Sequence, residues 1–194
     1  MSAGDSETAS PDPALVAEFE RARARVVENI RSAADRVGRD PDGVRLVAVS
    51  KTVPATRVRA AVAAGLTLLG ENRVQEAAAK APFVQGACWH LVGPLQSNKA
   101  RRAVELFDVV QSVDSRAIAD RLDRIAAELR PGDPLPVLLQ VNVDDDPAKA
   151  GFAPSELADT VGELLDLPHL RIDGLMTIGR LVTDAEEARP TFAA

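Results

Sequence analysis

Short apolar runs alternate along the chain with stretches in which apolar positions recur every three to four residues. The runs at 44–50, 66–69, 88–92, 107–113, 136–143 and 170–178 have the length and near-continuous apolar character of strands buried on both faces. Between them the spacing predicts helices over about 54–64, 73–81 and 98–105, then after Asp114-Ser115, from Pro154, and near Asp184. Ile118, Leu122, Ile125 and Leu129 fall on one face of the helix after Ser115, and Leu157, Val161 and Leu164 mark the next. A long helix precedes the alternation. Asp12 followed by Pro13 reads as a cap and first helical residue. Leu15, Phe19, Val26, Ile30 and Val37 recur as an apolar stripe, and Gly38 is placed to end the helix. Residues 1–12, rich in Ser, Asp, Glu, Thr and Pro, read as a disordered tail, and 13–194 as a single domain.

Strand–helix alternation with short apolar strands implies a parallel sheet covered by helices. A doubly wound nucleotide-binding sheet usually has a glycine-rich turn after its first strand. Here that turn is Ser50-Lys51-Thr52, and neither GxGxxG nor GxxxxGK[ST] occurs in the chain. The (β/α)8 TIM-type barrel has no such requirement and fits the polar residues at the predicted strand ends. Six predicted strands fall short of its eight, so the expectation is an incomplete barrel with an extra N-terminal helix.

The charge balance narrows the function. A net charge of −6 and a pI near 5.0 argue against non-specific nucleic-acid binding. No apolar run reaches the roughly 18 residues of a membrane span, and no secretory signal opens the chain. A lone cysteine, Cys88, allows no internal disulfide and reads as a small buried residue. A cytoplasmic location is the resulting expectation.

Lysine usage singles out a site. The chain has nineteen arginines and four lysines, so a lysine retained at a strand end points to use of its amine, which can form a Schiff base where arginine cannot. Lys51 closes the first strand. Lys99 and Lys149 follow the third and fifth, and Lys80 reads as an ordinary helix-surface residue. Neighbouring cations would lower an amine's pKa, whereas solvated loop lysines would have no role; the spacing alone leaves both readings open. Asn72, His90, Ser112, Asn142 and Thr177 complete the polar strand ends. His90 suits an acid, a base, a stacking partner or a structural residue. Only His169 accompanies it, so no metal cluster is expected. Asp144-Asp145-Asp146 lacks the glycine and distal glutamate of a calcium loop and reads as a solvated turn.

Six ordered segments then match a known family: 46–52 (LVAVSKT), 70–76 (GENRVQE), 89–99 (WHLVGPLQSNK), 112–115 (SVDS), 140–143 (QVNV) with 149–152 (KAGF), and 174–179 (GLMTIG). Together they resemble the pyridoxal-phosphate homeostasis protein family, also described as the PLP-binding barrel with an alanine-racemase-like N-terminal domain, from about residue 15 onward. The resemblance implies pyridoxal 5′-phosphate (PLP) held as a Schiff base on Lys51. It places Asn72 near the cofactor ring, Met176 and Thr177 in the pocket lining, and Lys149 near the site; His90, from its place at a strand end, is a further candidate cofactor contact. Val53, Pro94 and Asp146-Pro147 depart from the usual family residues without touching that lysine. The family's last two strands and its phosphate-binding segment have no counterpart in these 194 residues.

The resemblance implies PLP storage, buffering or delivery, with apo-PLP enzymes as recipients and no catalysis of its own. The alternatives are a racemase or decarboxylase of the same barrel type, and a barrel fragment that binds nothing. A two-base racemase of this type resembles a lysine–tyrosine machine, and the chain contains no tyrosine. A complete barrel is expected to be a monomer; in a shorter form open apolar strand edges favour self-association, and without the backbone N–H cradle for the phosphate weak, reversible PLP binding is expected.

Overall fold

The computed structural model describes residues 10–193. The expected tail lies outside them for residues 1–9. Six strands, β1 (Ala48–Val49), β2 (Leu68–Glu71), β3 (Cys88–Leu91), β4 (Val109–Val113), β5 (Leu135–Gln140) and β6 (Leu170–Met176), follow chain order in one sheet. Seven helices accompany them among the described residues: α1 (Pro13–Asp35), α2 (Ala55–Ala63), α3 (Val74–Lys80), α4 (Ala100–Leu106), α5 (Arg116–Leu129), α6 (Pro154–Leu165) and α7 (Ala185–Ala193). Strand, helix and strand repeat as the hydrophobic pattern predicts. No described helix is long and apolar enough to cross a membrane.

The chain forms two compact units, one comprising residues up to Glu71 with Gln75–His90, the other Asn72–Val74 with Leu91 onward. In the first unit, β1 pairs in parallel with β2 over two positions, Ala48 with Leu69 and Val49 with Gly70. The predicted strand at 44–50 therefore shortens to two residues. Its partner is only four residues long, and Val44 and Val49 are exposed, so the apolar run extends beyond the paired residues. Asp12 caps α1 as expected, its carboxylate accepting the Ala14 amide at 2.9 Å, with Pro13 opening the helix. The apolar stripe of α1 is a correction. Ala34 is the only buried residue of the helix, Val26 is exposed, and Val37 lies beyond its end. Arg57 of α2 holds α1 instead, with its guanidinium 5.4 Å from the Phe19 ring centroid and 3.7 Å from Glu18.

The second unit holds the most regular pairing. β5 lies parallel to both β4 and β6. Its register with β6 slips after Val137–Ile172, so that Leu138 next meets Gly174 and the register skips Asp173. Gly174 takes φ 151° there, a conformation side-chain-bearing residues rarely adopt. Ser115 caps α5 by accepting the Ile118 amide, and Ile118, Leu122 and Ile125 are buried on the predicted face. Pro154 opens α6, and Leu157 and Leu164 are buried beneath it.

Candidate functional site

Lys51 follows β1 at its carboxyl end, inside a tight turn. The Val53 amide donates to the Ser50 carbonyl at 3.0 Å, which closes the turn with Lys51 and Thr52 at its centre. Thr52 takes φ 62°, the left-handed region that a type II turn normally reserves for glycine and that a β-branched residue avoids. The Lys51 side chain is exposed, and among the described residues its amine has no hydrogen-bond or ion-pair partner.

Beneath this turn is the main correction to the sequence reading. Lys80, expected on a helix surface, is buried. Its Nζ donates to Glu71 Oε1 at 2.7 Å and to the Ser50 carbonyl at 2.8 Å. Ser50 Oγ donates to the same Glu71 oxygen at 2.6 Å. Glu71 itself is fully buried, and its Oε2 has no hydrogen-bond partner among the described residues. Glu76, one helical turn before Lys80, accepts the Thr52 amide at 3.0 Å. His90 is buried on β3 with its Nε2 3.5 Å from Cys88 Sγ. Cys88 is partly exposed rather than fully buried.

In the second unit Asn72 lies against Gly93 so closely that a Cβ on Gly93 would stand 2.4 Å from the Asn72 carbonyl oxygen. The buried Ser112 hydroxyl donates to the Gly93 carbonyl at 2.6 Å, which gives Ser112 a structural role. At the end of β5, Asn142 folds the following loop onto itself, its side chain bonding both the amide and the carbonyl of Asp146. The Val141 amide donates to the Met176 carbonyl at 2.8 Å, and Thr177 Oγ1 donates to the Val141 carbonyl at 3.0 Å. Lys149 Nζ donates to the Ile178 carbonyl at 3.0 Å and lies 3.5 Å from Asp144 and 3.6 Å from Asp146. Lys149, Met176 and Thr177 thus share one corner of this unit. Lys99 is half-buried in a short 3-10 turn. No group of metal ligands occurs among the described residues.

Asp144 is a second correction, since it is not a solvated turn residue. Its carboxylate accepts Thr191 Oγ1 at 2.6 Å and the Arg180 amide at 3.0 Å. The Thr191 hydrogen bond, then the Arg180 amide and the charges of Arg180 and Lys149, hold its carboxyl below the usual value despite some desolvation. A depressed carboxyl stabilises the fold above its unfolded pKa, about 3.9 for aspartate, and loses that contribution as pH falls through the folded value. Asp144→Asn is therefore expected to lower the unfolding midpoint at neutral pH and to match the parent protein at the acid end. Urea titrations at several pH values between neutrality and strong acid check this; a gap that persists unchanged in acid rules it out.

Glu71, Glu76, Lys80, Gly93 and Asp144 were absent from the sequence-derived site. One signal was available: the scarcity that singled out Lys51 applied equally to Lys80.

Comparison with known proteins gives the family and the fold. The chain belongs to the alanine racemase N-terminal domain family, whose profile matches residues 22–194. More particularly, it is 45% identical over 174 residues to the pyridoxal phosphate homeostasis protein of Pseudomonas aeruginosa, covering 88% of this chain and 74% of that one. It is 44% identical over 161 residues to the protein of that name from Escherichia coli K12, covering 80% and 68%. PipY of Synechococcus elongatus, solved with PLP bound, is 45% identical with a TM-score of 0.68, over 84% of this chain and 80% of that one. Alanine racemase of Clostridium difficile, at 16% identity and TM-score 0.69 over 91% of this chain and 44% of that one, shares the fold. The barrel class expected from the sequence is thereby established.

Proposed function

We propose that this chain binds pyridoxal 5′-phosphate covalently on Lys51 and serves to store, buffer or deliver it within the cytoplasm, without turning over amino acids. The observation that carries the reading is the exposed Lys51 amine, unpartnered among the described residues, on a strained turn after β1, in a family with a PLP-bound relative. The residues fit the group. An exposed amine can reach an aldehyde, and the turn that bears it is braced from below.

When bound, the cofactor supplies an aldehyde and an electron-withdrawing ring. Lys51 would hold it there, its Nζ supplying the amine that a Schiff base with that aldehyde requires, the aldehyde oxygen being lost as water. In this reading Asn72, His90, Lys149, Met176 and Thr177 contact or orient the cofactor. A racemase of the two-base kind needs a second base opposed to the lysine, and no tyrosine is present to serve as one. Delivery to apo-enzymes would rest on the reversibility of that bond.

Borohydride reduction of the PLP-loaded protein, followed by peptide mass spectrometry, is expected to place the pyridoxyl group on Lys51. Lys51→Ala should abolish the trapped adduct and the associated visible absorbance. An adduct on Lys99 or Lys149 with Lys51 unmodified would overturn the assignment.

A further inference from the structure

The buried polar network of the first unit is not needed for imine chemistry, yet it ends on the residues either side of Lys51. Lys80 binds the Ser50 carbonyl at 2.8 Å, and Glu71 takes the Ser50 hydroxyl at 2.6 Å. Glu76 takes the Thr52 amide at 3.0 Å. Ser50 and Thr52 are therefore both anchored while Lys51, between them, stays exposed. Glu76 and Lys80 lie four residues apart on α3, 3.9 Å from each other, so one face of a short helix supplies both contacts.

We propose that Glu71, Glu76 and Lys80 are positioning residues for the Lys51 amine, clamping the backbone on both sides of it so that its side chain leaves the strand in one direction. This rests on the reading of Lys51 as the cofactor lysine. Apolar packing could fill the same space, but it would give no donor to the second lone pair of the Ser50 carbonyl and no acceptor to the Thr52 amide. Hydrogen bonds to charged groups are shorter and stronger than neutral ones and fix direction as well as distance. Thr52 needs such restraint, because a β-branched residue leaves the left-handed region unless its surroundings hold it there. With the clamp released, the turn would relax and the amine would sample many orientations instead of one.

Three variants separate positioning from simple core filling. Glu76→Ala removes the acceptor for Thr52, whereas Glu76→Gln keeps one. The double variant Lys80→Met/Glu71→Leu removes both buried charges together and so avoids stranding either. Hydrogen exchange of the cofactor-free proteins is read at the amides of Thr52 and Val53, with α5 as an internal reference. Glu76→Ala and the double variant should exchange there at least tenfold faster than the parent, with α5 unchanged, and Glu76→Gln should stay near the parent rate. The rate at which borohydride traps a pyridoxyl group on Lys51 should fall at least tenfold in the same two variants and recover in Glu76→Gln.

Unchanged exchange at Thr52 and Val53 would overturn the clamp. Faster exchange with an unchanged trapping rate would overturn its role in presenting the amine. A parent protein trapped at another lysine, or at none, would refute the reading of Lys51, and the positioning role with it. The exchange rates would still report independently whether the turn is clamped.

Discussion

Lys80→Met is expected to lower stability by about 3 kcal/mol, the largest loss from replacing any of the four lysines. The substitution conserves length and apolar bulk but leaves the Glu71 carboxylate fully buried with only the Ser50 hydroxyl for company. One of its oxygens already lacks a partner, so no slack remains to absorb the loss. Glu71→Gln should be milder. It leaves a neutral amide in the strand, and the Lys80 ammonium keeps the Ser50 carbonyl and can turn towards Glu76, 3.9 Å away. Replacing both members with apolar residues should recover much of the loss, because the desolvation penalty disappears with the charges. Urea unfolding at pH 7 checks the order of midpoints: Lys80→Met lowest, then the double variant and Glu71→Gln, then the parent. A Lys80→Met midpoint equal to the parent's would show that the pair contributes nothing.

Two glycines should respond to the same substitution with opposite signs. Gly93→Ala puts a Cβ 2.4 Å from the Asn72 carbonyl oxygen and 2.7 Å from its Cα. Both are backbone atoms, which cannot rotate aside as a flexible side chain can. Either Asn72 or the Gly93-Pro94 segment must move, and overpacking of this kind typically costs about 1–3 kcal/mol. Because Asn72 is a proposed cofactor contact, PLP retention through gel filtration should fall as well. Gly162, exposed within α6, has nothing within 4 Å of its Cβ position. Gly162→Ala should add about 0.5–1 kcal/mol by helix propensity alone and leave PLP retention unchanged. Paired thermal and spectroscopic measurements test both. Equal effects at the two positions would discard the contact argument.

Helix starts with a local cap and the buried face of α5 are legible from the chain. The Asp12–Pro13 and Ser115 caps, the buried face of α5 and the opening of α6 at Pro154 all lie where local chemistry and periodicity put them. The first strand was overextended because an apolar run reports side-chain burial, whereas a ladder is only as long as its partner, and β2 spans four residues. Val37 was overread for a related reason: helical spacing continues on paper past a helix that ends at Asp35. In the candidate site, Lys51 was readable from its place after a strand and from lysine scarcity. Lys80 was not, because a polar residue on a short helix reads as solvated unless the chain shows what faces it. Its partner Glu71 lies nine residues earlier on a strand, and no helical or strand period links the two. Asp144 was misread for the same reason, since Thr191, its shortest contact, is 47 residues away.

The arginine surface has a consequence for a protein that must meet a reactive aldehyde. Guanidinium groups stay protonated and form no Schiff base at neutral pH, while any accessible lysine amine does so indiscriminately. Of the four lysines, Lys80 is buried, Lys149 is tied to a carbonyl and two carboxylates, and Lys99 is half-buried, which leaves Lys51 as the exposed one. The chain thereby carries its positive charge in a form that free aldehydes ignore. Adventitious adducts have few places to form, and a cofactor molecule arriving from solution would encounter little on this surface that competes with Lys51, the residue proposed to hold it.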